Sequence, residues 1–244
     1  MIGNLALKTA PAVEPVTVAE QKMHMRVDID DDDTYIGVII TAARKNIEKL
    51  YGVRMVTQTW YYYLDAFPLS DVIDLPIGPV TSITSVKYTP AGESQETFSS
   101  STGYETDTVS LPARIVLKDG QSWPSDTLNR VHGVCIEFET GYLASSTLTT
   151  AKAAQAAAEA LVAAAETEEE IAAAKIALAA AAAGVTAAET AEITAIPEDL
   201  KNAVKLLAAH FYENREASTT LNIKVLPMAV ESLLSGYRMW QRQT

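Results

Sequence analysis

The chain has 244 residues, of which 48% are hydrophobic, and its 31 acidic side chains outnumber its 19 basic ones for a formal net charge of −12. This length and hydrophobic content are enough for one sizeable core and an appendage. Because phosphate binding needs clustered Lys and Arg, the acidic balance argues against specific binding to nucleic acid. A single cysteine, Cys135, excludes an internal disulfide.

The hydropathy pattern predicts no targeting or membrane segment. The first 15 residues lack a basic start followed by a sustained apolar run, so we expect no signal peptide. The least polar stretch, residues 171–185, consists mostly of alanine, is interrupted by Lys175 and is less apolar than a membrane span requires. We therefore expect a soluble, intracellular protein with no membrane partner.

The N-terminal quarter predicts two helices after an extended segment that contains Pro11 and Pro15. Thr17 and Glu20 have the spacing of a capping box, which predicts a short helix through Arg26. A longer helix is predicted from Asp33 to Tyr51, with Gly52 as a left-handed stop. Its expected buried stripe is Ile36, Ile39, Ile40, Ala43, Ile47 and Leu50, and its expected outer residues are Arg44, Lys45, Glu48 and Lys49.

The aspartate run at 28–33 has the alternation of a calcium loop at its first positions. However, Asp33 occupies the sixth position, where such a loop needs glycine, and Ile39 the twelfth, where it needs a bidentate Glu. We favour a solvated loop whose last carboxylates cap the next helix. The three histidines, His24, His132 and His210, have no ligand spacing, so no metal is assigned.

Residues 54–138 have a β texture, rich in β-branched and aromatic residues between turn-forming Gly and Pro. Val134, Ile136 and Phe138 alternate with Cys135, Glu137 and Glu139, which predicts a half-buried strand with an acidic outer face. Cys135 is interpreted as a strand residue and not as a nucleophile. Further strands are predicted at 56–64, 72–75, 83–89, 104–109 and 114–117.

Alanine dominates residues 149–195, and its helix propensity predicts helices there. Thr167 with Glu170, and Thr186 with Glu189 after Gly184, have capping-box spacing. These stops divide the block into helices at 150–165, 168–183 and 187–193.

The C-terminal region predicts two amphipathic helices joined by a polar segment at 217–226. The first begins at Pro197 and buries Leu200, Val204, Leu207 and Phe211, while the second begins at Pro227 and buries Val230, Leu233, Leu234 and Tyr237. The predicted fold class is therefore α+β: a bundle of amphipathic helices, a small antiparallel β region and an alanine-rich helical hairpin.

Several of these segments together resemble the head–tail connector (adaptor) proteins of tailed bacteriophages. At the N-terminal side they are 16–26 (VTVAEQKMHMR), 42–48 (AARKNIE), 58–60 (QTW) and 75–88; at the C-terminal side they are 196–197, 210–215 and 233–238. The resemblance covers about 16–143 and 196–240. It therefore implies a connector core at 1–148 and 196–244 and an inserted unit at 149–195.

The resemblance implies a structural virion protein without catalysis or cofactor. Such proteins form a ring, usually a dodecamer, beneath the portal protein in the neck between head and tail, after assembly in the host cytoplasm. The C-terminal segment is expected to reach the portal, and the opposite side to receive a neck or tail-completion protein. DNA is expected to pass through the channel without specific binding, helped by repulsion from lumenal carboxylates.

The residues expected to dock on the portal are Tyr237, Arg238, Trp240 and Arg242. The alternative for Tyr237 and Trp240 is that they complete the apolar stripe of their own helix, and for the two arginines that they are solvated. Ile36, Ile40, Ile47 and Phe211 are candidates for packing between subunits. Two other functions stay open: another neck or tail-completion protein, or a metal-dependent enzyme that uses the Asp28–Asp33 carboxylates.

Overall fold

The computed structural model describes residues 3–143, 146–215 and 228–237. Its helices are α1 (Val18–Met25), α2 (Asp33–Tyr51), α3 (Ser146–Ala164), α4 (Glu168–Ala195), α5 (Glu198–Glu213) and α6 (Met228–Leu234), followed by a 3₁₀ turn at Ser235–Tyr237. Its strands are β1 (Asn4–Thr9), β2 (Gln58–Leu64), β3 (Val72–Asp74), β4 (Val80–Tyr88), β5 (Glu96–Phe98), β6 (Tyr104–Asp107), β7 (Arg114–Leu117) and β8 (Val134–Thr140). The predicted α+β class is confirmed.

The strands form two antiparallel sheets, one with the order β1-β2-β8-β4-β5 and the other with the order β3-β7-β6. Alternate residues of β2 and β8 face inward, with Tyr62 opposite Ile136 and Trp60 opposite Phe138. The inner faces of both sheets share one apolar core, in which Phe138 and Ile115 are fully buried. The predicted strand at 56–64 and the alternation along β8 are confirmed, whereas β5 was not predicted.

Cys135 differs from its predicted position on an open outer face, because it is only 6% exposed. Tyr63 of the neighbouring strand lies opposite Cys135 in the register and is hydrogen-bonded to the thiol. Burial raises the pKa of the Cys135 thiol, so the thiol stays protonated at neutral pH and is a poor nucleophile.

A second core is built by the helices, where α2 packs against α5 and the short helices α1 and α6 pack around them. The capping box of Thr17 and the bounds of α2 are confirmed, and Gly52 has the left-handed φ of 70°. Two predicted outer residues of α2, Arg44 and Glu48, are instead buried. Leu50, predicted to be inside, is 56% exposed.

The alanine-rich block is a hairpin of two helices, α3 and α4. The capping box of Thr167 and Glu170 is confirmed at the start of α4. The predicted break at Gly184 is wrong, because α4 continues to Ala195 and the Thr186 hydroxyl donates to the Ala182 carbonyl within the helix. The expectation that this block is less apolar than a membrane span requires is wrong, because α4 is long and apolar enough to cross a membrane by length and composition alone; one such helix is weak evidence for a span.

The two helices of this hairpin meet along residues spaced alternately by three and four, the spacing of a coiled-coil seam. Large and small side chains alternate along this seam, so the alanines admit the larger residues of the facing helix. The seam consists of Leu148, Ala151, Gln155, Ala158, Val162 and Ala165 on the α3 side and Ile171, Ala174, Leu178, Ala181, Val185 and Ala188 on the α4 side.

The C-terminal helices agree with the prediction where the structure describes them. Pro197 is the N-cap of α5, and Val230 and Leu234 of α6 are fully buried. Lys201 of α5 is only 7% exposed and pairs with Glu198. The polar segment at 217–226 and the predicted helix start at Pro227 lie outside the described residues.

Candidate assembly surfaces

Three of the four residues predicted to pack between subunits belong to the core of the single chain. Ile36, Ile40 and Ile47 are 0%, 1% and 0% exposed, because α5 and the segment before α1 cover the apolar stripe of α2. Because these side chains are already covered within the subunit, they cannot contact a neighbouring subunit. The prediction that these three residues pack between subunits is therefore wrong. Phe211 is half-buried at the edge of the same core, and its role in assembly stays a prediction.

A buried network of charges joins the helical core to the sheet. The Arg44 guanidinium donates to Glu14 at 2.7 Å and to Glu48 at 3.0 Å, and Glu48 also accepts from the Met55 backbone and from Gln58. Burial lowers the pKa of Arg44, but the hydrogen bond to Glu14 and the two carboxylate charges outweigh this effect and raise it overall. These side chains are therefore structural.

A second buried arginine, Arg54, lies beside this network. Its guanidinium donates to the carbonyls of Glu48 and Val53 and stacks on the Trp60 ring, 4.9 Å from the ring centre. Burial lowers the pKa of Arg54, and the nearby charge of Arg44 acts in the same direction. The charge of Glu48 opposes this lowering in part.

The aspartate run is held by cations from elsewhere in the chain. Lys22 pairs with Asp30 at 2.6 Å and with Asp33 at 2.7 Å. Asp32 is the N-cap residue of α2 and Asp33 lies in its first turn, as predicted, but the Asp32 side chain makes no capping hydrogen bond. Among the described residues, no group of three or more His, Cys, Asp or Glu could hold a metal ion.

Asp32 instead accepts hydrogen bonds from two residues at the end of α5. Tyr212 donates its hydroxyl hydrogen, and Arg215 donates at 2.8 Å. The Arg215 guanidinium also stacks on the rings of Tyr35 and Tyr212, at 4.6 and 4.5 Å from their centres. The hydrogen bond from Tyr212 and, by a smaller amount, the hydrogen bond from Arg215 lower the pKa of Asp32. This cluster ties the beginning of α2 to the end of α5.

Of the residues predicted to dock on the portal, only Tyr237 is described. It is half-buried against the helical core. Burial raises its pKa, and the charge of Asp199 raises it by a smaller amount. Tyr142 lies in the same core; burial and the neighbouring Tyr237 raise its pKa to about 12. Tyr237 therefore contributes to the core of its own chain, as the alternative interpretation expected, and its docking on the portal stays a prediction. Arg238, Trp240 and Arg242 lie outside the described residues.

The outer face of the five-stranded sheet carries an aromatic and charged patch. The rings of Tyr61 and Tyr63 are 5.8 Å apart, and His132 stacks on Tyr63 at 4.6 Å. Lys8 pairs with Glu137 and lies over the Tyr61 ring. Sequence reasoning missed this patch, although the Tyr61–Tyr63 spacing places both tyrosines on one side of β2.

The base of the α3–α4 hairpin contacts Thr57, the residue before β2. Thr57 donates its backbone N–H to the buried carboxylate of Glu192 at 2.7 Å and its hydroxyl to the Leu143 carbonyl at 2.6 Å. Gly141 has a φ of +130° and approaches Thr57 so closely that a Cβ would lie 2.8 Å from its Cα. The segments at both ends of the hairpin therefore meet at Thr57.

Comparisons with known proteins agree with the resemblance. Residues 15–112 match the model of a family described as phage gp6-like head-tail connector protein, which confirms the predicted resemblance over this region. No curated protein matches the chain.

Solved neck structures of a gene transfer agent (GTA) are similar in fold along nearly the whole chain. A chain of the neck of the empty GTA particle, computed with C6 symmetry, has a TM-score of 0.65 and 21% identity, and the match covers 98% of this chain and 96% of that one. A chain of the virion of the native particle has a TM-score of 0.66 and 20% identity, and the match covers 97% of this chain and 96% of that one. A chain of the native neck, computed with C12 symmetry, has a TM-score of 0.63 and 20% identity, and the match covers 99% of this chain and 97% of that one.

Proposed function

We propose that this chain is a structural head–tail connector subunit that assembles into a ring in the neck of a phage-like particle. The observation that carries the proposal is the match of residues 15–112 to the connector family. It is supported by the fold shared with chains of GTA particles, including necks computed with C6 and C12 symmetry.

A ring is built from one head-to-tail contact that is repeated by rotation, so each subunit presents two different surfaces to its neighbours. The C12 symmetry of one related neck supports a dodecamer. The outer sheet face with Tyr61 and Tyr63 and the edge of the helical core at Phe211 are available for these contacts, because each is only partly covered in the single chain.

The partners that we propose are the portal protein on one side and a neck or tail-completion protein on the other. DNA would pass through the channel without specific binding. The formal charge of −12 supports this, since twelve such subunits would carry about −144 and repel the DNA phosphates wherever carboxylates face the lumen. A neutral or basic lumen in the assembled ring would contradict this part of the proposal.

We further propose that the chain is not an enzyme and that its place is the virion neck. The carboxylates that could have served a metal-dependent reaction support this, because Asp30 and Asp33 pair with Lys22, and Asp32 with Arg215.

We also propose that residues 1–148 and 196–244 form the connector body and that 149–195 is an inserted unit. The mutual packing of α3 and α4 supports this division.

The test is the assembly state of the purified full chain. We expect twelvefold rings in negative-stain electron microscopy, a matching mass in mass photometry, and co-sedimentation with portal protein in preference to tail tube. Co-sedimentation with tail tube alone would favour a tail-completion protein. A chain that stays monomeric with portal protein present and turns over a small molecule would overturn the proposal.

A further inference from the structure

The outer surface of the α3–α4 hairpin is nearly free of charge. Between its base and its tip, the shafts at 150–165 and 171–191 contain only four charged residues: Lys152, Glu159, Lys175 and Glu189. At about 100° per residue, all four project to one side of the hairpin, between the internal seam and the outer edge. The outer edges themselves therefore carry no charge.

The outer edge of α4 repeats the spacing of the internal seam, and the outer edge of α3 is a row of alanines. On α4 the edge is Ala173, Ile176, Ala180, Ala183 and Ala187, spaced by three and four; on α3 it is Ala153, Ala156, Ala157, Ala160 and Ala164. All ten residues are exposed, and Ile176 is 72% exposed although it is one of the largest side chains of the hairpin. A large residue among alanines is also the pattern that packs inside the hairpin.

When two hairpins stand side by side, the residues of the α3 edge and of the α4 edge can lie at the same distance from the tip. Ala157 and Ile176 are nine and ten residues from Glu166 at the tip, or about 14 and 15 Å at the helical rise. Ile176 of one hairpin would therefore meet Ala156 and Ala157 of the next. Because the edges differ, one on α3 and one on α4, this contact is head-to-tail, as cyclic symmetry requires.

We infer that the α4 edge of each hairpin packs against the α3 edge of a second copy of this chain, so that the hairpins form a closed palisade; this rests on the proposed ring. The uncharged edges can meet without burying a charge. Their small area favours a ring neighbour over a free partner as the occupant: 16 residues of helix about 10 Å wide bury about 240 Å² per edge, or about 480 Å² per contact. A free dimer needs about 1,200 Å² or more, so this contact depends on the ring bringing the hairpins together.

Disulfide crosslinking of the full chain tests the palisade. In a Cys135→Ser background, Ala157→Cys with Ile176→Cys places one thiol on each edge at the same level. We expect oxidation to give a ladder of covalent oligomers up to the complete ring. The matched control is Ala157→Cys with Ala187→Cys, whose levels differ by about 18 Å; this pair should give at least tenfold less crosslinked product.

The single variant Ile176→Cys separates the possible arrangements. It should stay monomeric on a non-reducing gel, since α4 does not meet α4; covalent dimers would overturn the palisade in favour of a two-fold contact. Intact rings without a ladder would overturn the palisade and leave the proposed function standing, whereas the absence of rings would refute both. Flotation with lipid vesicles that is lost in Ile176→Glu would assign the edges to a bilayer and would also overturn the inference.

Discussion

Glu192 of α4 accepts a hydrogen bond at 2.7 Å from the backbone N–H of Thr57, the residue that precedes β2. Glu192 is 3% exposed, so this contact is shielded from water. It joins the last turn of the hairpin to the start of a central strand, 135 residues earlier in the chain. This hydrogen bond therefore helps to fix the direction in which the hairpin leaves the body, together with the contact of Thr57 with Leu143 at the other end of the hairpin.

Replacing this carboxylate should destabilise the subunit. We expect Glu192→Ala to lower the free energy of unfolding by about 1–3 kcal/mol, because the Thr57 amide loses its acceptor in a buried position. Glu192→Gln keeps an acceptor oxygen and should cost less. Urea denaturation measures both, with Glu169→Ala, at an exposed position of the same helix, as the control. Equal stability of Glu192→Ala and the control would contradict the anchoring role.

The buried guanidinium of Arg44 gives a second prediction. Arg44→Met should cost about 3–5 kcal/mol in chemical denaturation, because it leaves Glu14 and Glu48 without their shared cation. Lys45→Met, at the exposed neighbouring position, should change stability by no more than about 0.5 kcal/mol. The two variants remove the same charge, so similar losses would mean that burial of Arg44 does not matter.

Helix caps distinguish the observed hairpin from the one expected from the sequence. Thr167→Ala should cost about 1 kcal/mol, because it removes the N-cap of α4. Thr186→Ala should be nearly neutral, since this residue lies within a continuous helix and donates to its own helix. Thermal unfolding followed by circular dichroism measures both. A comparable loss in Thr186→Ala would restore the predicted break at Gly184.

Asp107 should titrate at unusually low pH. Hydrogen bonds from the Ser110 side chain and backbone, then from Arg114, lower its pKa to about 2. Because this is below the value in the unfolded chain, the ionised carboxylate stabilises the fold above about pH 4, and the stabilisation is lost as the pH falls towards 2. Carboxyl NMR should record this pKa and a rise in Ser110→Ala. An unchanged value in that variant would contradict the assigned cause.

The hairpin should be removable without loss of the body. Leu148 and Val185 are 18 and 19 residues from Glu166, so they lie at the same level of the two helices. Deleting 150–183 and joining the ends with a short glycine-containing turn keeps Glu192 and its anchor. We expect a cooperative thermal transition within a few degrees of that of the full chain. A chain that no longer folds would contradict the division into a body and an inserted unit.

Local sequence was sufficient to predict most elements of this fold. The bounds of α2, the strand β8 and the capping boxes at Thr17 and Thr167 depend on near neighbours in the chain, and all four were confirmed. The resemblance to connector proteins also came from linear motifs. The seam of the hairpin could have been found in the same way, from its alternating spacing of three and four residues.

Tertiary structure alone decided which surfaces are covered. Arg44 is buried because Glu14 crosses α2, and Asp32 binds residues 180 and 183 positions away instead of capping its own helix. Ile36, Ile40 and Ile47 likewise belong to the subunit core and not to an interface. Periodicity identifies the apolar face of a helix, but it does not identify what packs on that face, because that depends on segments distant in sequence.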